Sequence, residues 1–584
     1  MRYSVYIVYI VFFLTPILSR GQEKQYIMHL RSQQAIPESI HKRYQHIKGD
    51  SLHLTEKSKQ LLHDFYESGY WGASIDRLQF KEDTLLLKVF TGKKYYRGTV
   101  DYSAIAQNVR EQIAIRKHRK KQEVFPLSDL VILKEKVLSA FENSGYPFAA
   151  VKFEPVHFDD SLVHLKINPL LHNLYRIDSI LFKGEAKISP HYIYRYLQIH
   201  PGNIYHQEKI NDIDKRIDNL NFLSTIKPTE VEFKEKDADI YLYLKKQKAN
   251  TFNGIIGFLP ENENTGKLMV TGDLNLNLVN SLGYGESFSL RWEKPESSTQ
   301  KLNVGFGTPY LFKTNIGVDG DFELYKKDSS YLSLQTGIGV QLMLDYNKSL
   351  RGYYRYKNSS RIGSDLPATG LNFADIESNI LGVSFHLTQL DYRFNPRKGT
   401  ALNIFGGAGF KNISNTQHIT ESMNIPPDNK RIEIDAGLDL DIYFPIYKNV
   451  VFHFSNTTRY LDQFAGEGKE AMFFENELYR FGGAGSLRGF DENIFNASVY
   501  SLQNIEIRYL FERNSAFYLF WNGAYYYKNV AREITEDFPW GFGIGADFET
   551  NAGIFTISYA LGKQFDNPIE IRAAKIHVGY VSRF

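Results

Sequence analysis

The stretch "RIEIDAGLDLDIYF", Arg431–Phe444, decides how the second half of the chain folds. Ile432, Ile434, Ala436, Leu438, Leu440, Ile442 and Phe444 fall on one side of an extended backbone. Glu433, Asp435, Gly437, Asp439, Asp441 and Tyr443 fall on the other. A soluble sandwich can show such alternation, but four acids within one strand point to a wet lumen opposite lipid. The same texture, alternating stretches broken by Gly, Asn and Asp, runs from about Thr251 to the end. Sixteen strands are predicted, near 252–259, 267–279, 283–292, 301–310, 314–325, 331–344, 347–357, 376–391, 399–411, 430–445, 448–461, 497–511, 515–528, 539–549, 553–562 and 574–584. Their even number, at about ten residues each, predicts an all-β transmembrane barrel over 250–584. Closure removes the open strand edges that would otherwise aggregate.

Composition narrows the class further. A chain of 584 residues is too long for one ordinary core. Its 69 basic and 66 acidic residues leave a formal charge of +3, so no global field calls for nucleic acid. The 39 Tyr, 42 Phe and 43 Gly suit β-structure facing a membrane. Cysteine is absent, which excludes disulfides, thiol catalysis and thiolate metal sites. The 16 histidines form no ligand pattern, and no serine elbow, His-Glu-x-x-His or phosphate-binding loop is present. No cofactor and no enzymatic activity are therefore expected, although a site assembled only in space stays open.

Arg2, the apolar run "VYIVYIVFFLTPIL" and the small residues Ser19 and Gly21 have the layout of a secretory signal peptide over residues 1–21. A membrane anchor is the alternative reading. Beyond it no stretch reaches the roughly 18 apolar residues of a spanning helix, so an exported chain would enter a membrane as a barrel.

Between leader and barrel lies a repeat. "FYESGYWGAS" (Phe65–Ser74) and "FENSGYPFAA" (Phe141–Ala150) share Phe, Ser, Gly and Tyr at the same offsets, and a further equal shift lands on Asn221. Asn tolerates a left-handed helix end, so three units are predicted, at 22–95 (diverged), 96–173 and 174–249. In the third, "YRIDSILFKG" reads as a strand, and Ser189-Pro190 opens a helix with Ser as cap. A second helix carries Ile210, Ile213, Ile217 and Leu220 on one face, and "DIYLYLKK" closes the unit with Ile240, Leu242 and Leu244 inward. In the second unit Leu130, Leu133, Val137 and Phe141 line the long helix. The basic run Arg116–Lys121 reads as a solvated loop or a contact for anionic lipid.

This β-α-α-β-β order in tandem, clearest in residues 175–248, resembles the POTRA modules that precede outer-membrane barrels of the BamA/TamA type. A second motif agrees. "FGGAGSLRGF" supplies Gly482, Gly483, Gly485, Leu487, Arg488, Gly489 and Phe490 within a long inserted segment, 462–496, between the eleventh and twelfth strands. It is similar to the (V/L)RG(F/Y) signature of the BamA/TamA superfamily, and "DYRFNPRKGT" (Asp391–Thr400) and "NLVNSLGYGESFSLRW" also match family patterns. The resemblance implies a loop folded back into the lumen, its arginine meeting an acid on the twelfth strand, Glu506, and a Phe-x-Asp pair on the thirteenth. Phe520 matches that pair, but Asn522 stands where aspartate is expected, which predicts a looser grip.

The ending "KIHVGYVSRF" resembles the family's assembly signal, with Gly579, Tyr580 and Phe584 as its marks. The function implied is non-enzymatic: an assembly or translocation factor in a bacterial outer membrane, its POTRA modules in the periplasm. Its partners would be unfolded outer-membrane or secreted clients, membrane lipid and, by its TamA-like layout, a periplasm-spanning TamB-like protein. Alternatives are a dedicated two-partner secretion transporter, whose plug helix would fall in Gln22–Asp50, a passive porin, or an enzyme embedded in a barrel.

Overall fold

The computed structural model describes residues 24–113, 123–159, 161–260, 268–294, 299–362, 373–392, 395–414, 430–464, 473–530, 533–550 and 553–583. The expected leader, the basic run Arg116–Lys121 and the terminal Phe584 lie outside the described residues. Two compact units result. One holds residues up to Arg176 with Ile204–Glu208 and Glu235–Asp237; the other holds the remainder, so most of the third module packs as one body with the barrel.

In the first unit, strands Tyr26–Ser32 and Thr84–Phe90 run parallel at the centre of a four-stranded sheet. Helix Ser51–Glu67 covers that sheet. Asp50 caps it by accepting from the His53 amide (2.7 Å), and Leu54, Leu61 and Phe65 are buried against Met28, Leu85 and Leu87. Residues 26–50, where a plug helix was an alternative, are thus a strand and a short helix, Glu38–Tyr44, whose Ile40 and Tyr44 enter this same core. The following three-stranded sheet, ordered Tyr96–Asp101, Leu162–Leu170, Ala150–Asp159, is covered by helix Leu127–Glu142 through Val137, Ala140 and Phe141.

The third module has strands Arg176–Lys183, Leu223–Thr225, Glu230–Phe233 and Asp237–Lys246. Ile210, Ile213, Ile217 and Leu220 are buried as expected, as are Ile240, Leu242 and Leu244. Two local readings need correction. Gly69 and Gly145 take φ of +87° and +97° after their helices, but Asn221 is not among the residues with positive φ. Its helix breaks at Asp212 and ends through Asn219 in right-handed geometry, and the left-handed cap belongs instead to Gln198 (φ +57°). Pro190 does open its helix, but the Ser189 side chain makes no cap bond; its amide donates to Gly283 O (2.7 Å).

The second half is a closed antiparallel barrel of sixteen strands. They are β1 (Thr251–Pro260), β2 (Leu268–Val279), β3 (Ser287–Lys294), β4 (Gln300–Thr308), β5 (Ile316–Lys327), β6 (Tyr331–Asp345), β7 (Lys348–Arg361), β8 (Asp375–Leu390), β9 (Gly399–Ser414), β10 (Lys430–Tyr447), β11 (Val450–Phe464), β12 (Val499–Glu512), β13 (Ser515–Val530), β14 (Trp540–Thr550), β15 (Gly553–Lys563) and β16 (Lys575–Arg583). A separate piece, Glu533–Asp537, extends β14 past Pro539 and, among the described residues, pairs with β13. Proline cannot donate to the ladder, which accounts for the interruption. The third strand starts at Ser287 rather than near 283, because Glu286 accepts from the amides of Leu282 (2.5 Å) and Tyr284 (3.0 Å) and folds the preceding residues into a turn. In β10 the two faces separate as the sequence requires: Glu433 and Asp435 are buried inside, while Ile432 and Phe444 are exposed outside. In β16, Ile576, Val578 and Tyr580 likewise face outward.

Closure is uneven. Strands β2 and β3 pair over eight positions and β15 and β16 over eight, but among the described residues β1 meets β16 through just Thr251 with Arg583 and Phe252 with Ser582. We call the end of the barrel next to the third module proximal and the other end distal.

Candidate functional site: an arginine loop seated in the lumen

The segment after β11 turns back into the barrel. A small hairpin, Tyr479–Phe481 with Phe495–Ala497, forms its stem. Phe481 and Phe495 stack at 5.0 Å and, with Leu487, pack on Tyr500, Leu502, Ala524 and Tyr526 of the β12–β13 wall. Nearer its start, Asn476 is buried and donates to Ser359 Oγ (2.8 Å) and Ala374 O (2.7 Å), while Glu477 pairs with the fully buried Lys411 of β9. Arg480 donates to Tyr331 Oη (2.5 Å) and lies 3.6 Å from the Tyr325 ring centroid; Tyr479 and Arg355 both bind Asp435. A loop with this much buried polar chemistry would be costly unless each group met a partner, and these partners come from strands around the barrel.

The tip is built by its glycines. Gly482, Gly483 and Gly489 take φ of +122°, +91° and +94°, the left-handed region where only glycine is unstrained. Gly485 is exposed with open space around it. The tip backbone then presses on two wall glycines. A Cβ at Gly541 of β14 would lie 2.3 Å from Arg488 O, and one at Gly562 of β15 would lie 2.7 Å from Gly489 O and 2.9 Å from the Phe490 ring. Only bare backbone there leaves room for the loop.

Seating places Arg488 on its partners. Nε donates to Asn522 Oδ1 (2.9 Å), and Nη2 donates to Asn504 Oδ1 (2.6 Å) and Glu506 Oε1 (2.7 Å). The guanidinium lies 3.6 Å from the Phe520 ring centroid, a cation–π contact in a desolvated place. The structure thus brings together Arg488, Glu506, Phe520 and Asn522 as the sequence suggested. It adds Asn504, which Asn522 Nδ2 also bonds (2.8 Å). With an ionic acceptor, two amide acceptors and an aromatic face, the grip is fuller than the missing aspartate implied. Gly579 and Tyr580 sit in β16, away from this cluster in sequence and sheet.

At the proximal end the third module reaches the barrel. Tyr192 meets Tyr310 (5.4 Å), Tyr196 meets Tyr346 (5.9 Å), and Arg216 pairs with Asp345 (3.2 Å) while lying over Tyr346. Gly285 fits because a Cβ there would strike the Tyr192 ring at 1.9 Å. Between this contact and the lumen lies a cavity of about 1110 Å³, lined by polar groups such as Asp319, Asp321, Arg351 and Gln341.

A closed sixteen-stranded barrel with an arginine loop inside and an α+β module at its mouth defines a class, and comparison with known proteins agrees. Residues 280–580 match the Omp85 superfamily domain and residues 175–247 match POTRA, the surface antigen variable number repeat. The chain belongs to the Omp85 superfamily. The outer membrane protein assembly factor BamA of Neorickettsia risticii is 22% identical over 384 residues, covering 61% of this chain and 50% of that protein. A putative outer membrane protein assembly factor of Treponema pallidum is 22% identical over 287 residues, covering 47% of this chain and 34% of that protein. The chain thus spans half or less of the length of these curated relatives. Among solved structures, CdiB from Escherichia coli shares the fold, with a TM-score of 0.52 at 12% identity, over 91% of this chain and 98% of that one.

Proposed function

We propose that this chain is an outer-membrane assembly or translocation factor that works without a catalytic centre. Its N-terminal modules stand in the periplasm, gather unfolded outer-membrane or secreted polypeptides, and deliver them to a lateral seam between β1 and β16. The observation that carries this reading is the seam. Beyond Phe252 and Ser582, the facing edges of β1 and β16 have no partner strand among the described residues. Unpaired main-chain groups on such an edge accept an extended strand, the physical basis of capture by strand addition. A passive porin has no use for such a gap, nor for a lumen occupied by a loop tied to several strands.

Assembly is favoured over a dedicated secretion transporter because residues 26–50, which could have formed a plug helix, build the first module's core. Three modules before the barrel also fit a factor working with a TamB-like, periplasm-spanning partner. The seam is tested by Phe252→Cys with Ser582→Cys, opposite residues in an otherwise cysteine-free chain. Oxidation is expected to abolish client insertion and reduction to restore it; full activity of the oxidised protein would remove the seam from the mechanism. Depletion followed by outer-membrane and secreted proteomics assigns the client class. Loss of many barrels indicates general assembly, and loss of one exported protein indicates dedicated secretion.

A further inference from the structure

Glu506 has a second side. Its Oε1 takes Arg488, while its Oε2 accepts from Arg508 Nη1 (2.8 Å) and lies 3.4 Å from His453 Nδ1; His453 Nε2 in turn lies 2.9 Å from Asp441. Arg508, two residues on along the same inward face of β12, also donates through Nη2 to Asp547 Oδ2 of β14 (2.8 Å) and Asn395 Oδ1 (3.3 Å). Asn395 is buried and belongs to the stretch "DYRFNPRKGT", which links β8 to β9 at the proximal end. That stretch packs on the β12–β13 turn: Tyr392 donates to Asn514 Oδ1 (2.8 Å), Arg513 lies 4.3 Å from the Tyr392 ring centroid, and Asn395 Nδ2 donates to Arg513 O (3.4 Å). A chain of direct polar contacts therefore runs from a proximal turn, through one guanidinium, to the carboxylate that holds the distal loop.

We propose that Arg508 is the positioning residue of the loop latch, fixing the Glu506 carboxylate against Arg488 and tying it through Asn395 to the proximal β12–β13 turn at Arg513 and Asn514. Two features support a geometric role rather than simple neutralisation. First, Arg508 has a carboxylate of its own in Asp547, so Glu506 is shared between the two guanidiniums rather than spent on Arg508 and stays available to the loop. Second, one planar guanidinium reaches three acceptors on three separate elements, which a lysine ammonium on a flexible stem does not reproduce. A rearrangement of the proximal turn would reach the loop along this path.

The proposal rests on the latch reading of Arg488 and not on what the barrel transports. Ala524 of β13 is fully buried beneath the loop, and the chain has no native cysteine, so Ala524→Cys reports loop seating in the purified full-length protein. The rate of labelling by a hydrophilic maleimide measures how often the loop lifts. Arg488→Gln is expected to raise that rate at least about tenfold, as loss of a buried charge contact implies. Arg508→Gln and Arg508→Lys should both raise it comparably, and Asn395→Ala and Asp547→Asn in the same direction but less. Arg351→Gln, in a lumen arginine paired with Asp319, should leave it unchanged. An unmoved rate in Arg488→Gln overturns the latch itself. A raised rate there with wild-type labelling in Arg508→Lys shows that charge suffices, and overturns the positioning role alone. Should the Arg508 variants fail to fold, Asn395→Ala and Asp547→Asn decide, and wild-type labelling in both overturns the proposal.

Discussion

Glu506 and Asn522 both touch Arg488, yet their replacement should have unequal results. Glu506→Gln leaves two buried guanidinium groups short of a carboxylate, a loss of about 3–5 kcal/mol by the measure of broken buried pairs. Asn522→Ala removes a neutral acceptor from a charged donor, about 1.5–3 kcal/mol. Outer-membrane integrity, read as sensitivity to a large antibiotic, should therefore fall further in Glu506→Gln; equal, negligible effects in both would contradict the latch. At this scale much was legible in the sequence. Alternation alone turns Glu506 inward, and the same rule applied two residues either way would have found Asn504 and Arg508. Asp547 and Asn395 were not legible, since which inward groups meet depends on the register and curvature of distant strands.

At the scale of elements, the loop is held by shape as much as by charge. The carbonyls of Arg488 and Gly489 abut Gly541 and Gly562, and backbone cannot step aside as a side chain can. Gly541→Val or Gly562→Val should expel the tip, exposing Arg480 and Arg488 to trypsin in an otherwise folded barrel. Gly352→Ala and Gly406→Ala, where a Cβ meets nothing within 4 Å, are the matched controls and should leave the loop protected. Strand positions were readable because period-two patterning persists over ten residues or so. The loop's own hairpin was not, because Tyr479–Phe481 and Phe495–Ala497 are three residues each and alternate too briefly to register. The start of β3 was missed for a related reason: the alternation near 283 is interrupted by the Glu286 turn, whose hydrogen bonds only the folded chain shows.

For the whole molecule, the third module closes one end of a polar cavity inside the barrel, and the arginine loop enters the lumen from the distal end. Arg216 is mostly buried where it pairs with Asp345 and covers Tyr346, so Arg216→Ala removes both contacts at once. Ion conductance through reconstituted protein should rise in that variant, and rise further when combined with Arg488→Gln; unchanged conductance in the double variant would mean that neither end limits passage.

The wall itself is unequal in height. Strand β10 runs for 18 residues and β16, beside the seam, for 9. At about 3.4 Å per residue, β10 outruns β16 by about 30 Å of ladder along the strand direction. The two strands that flank the seam are themselves short, 10 residues in β1 and 9 in β16, so an extended segment of about ten residues is long enough to cover either edge.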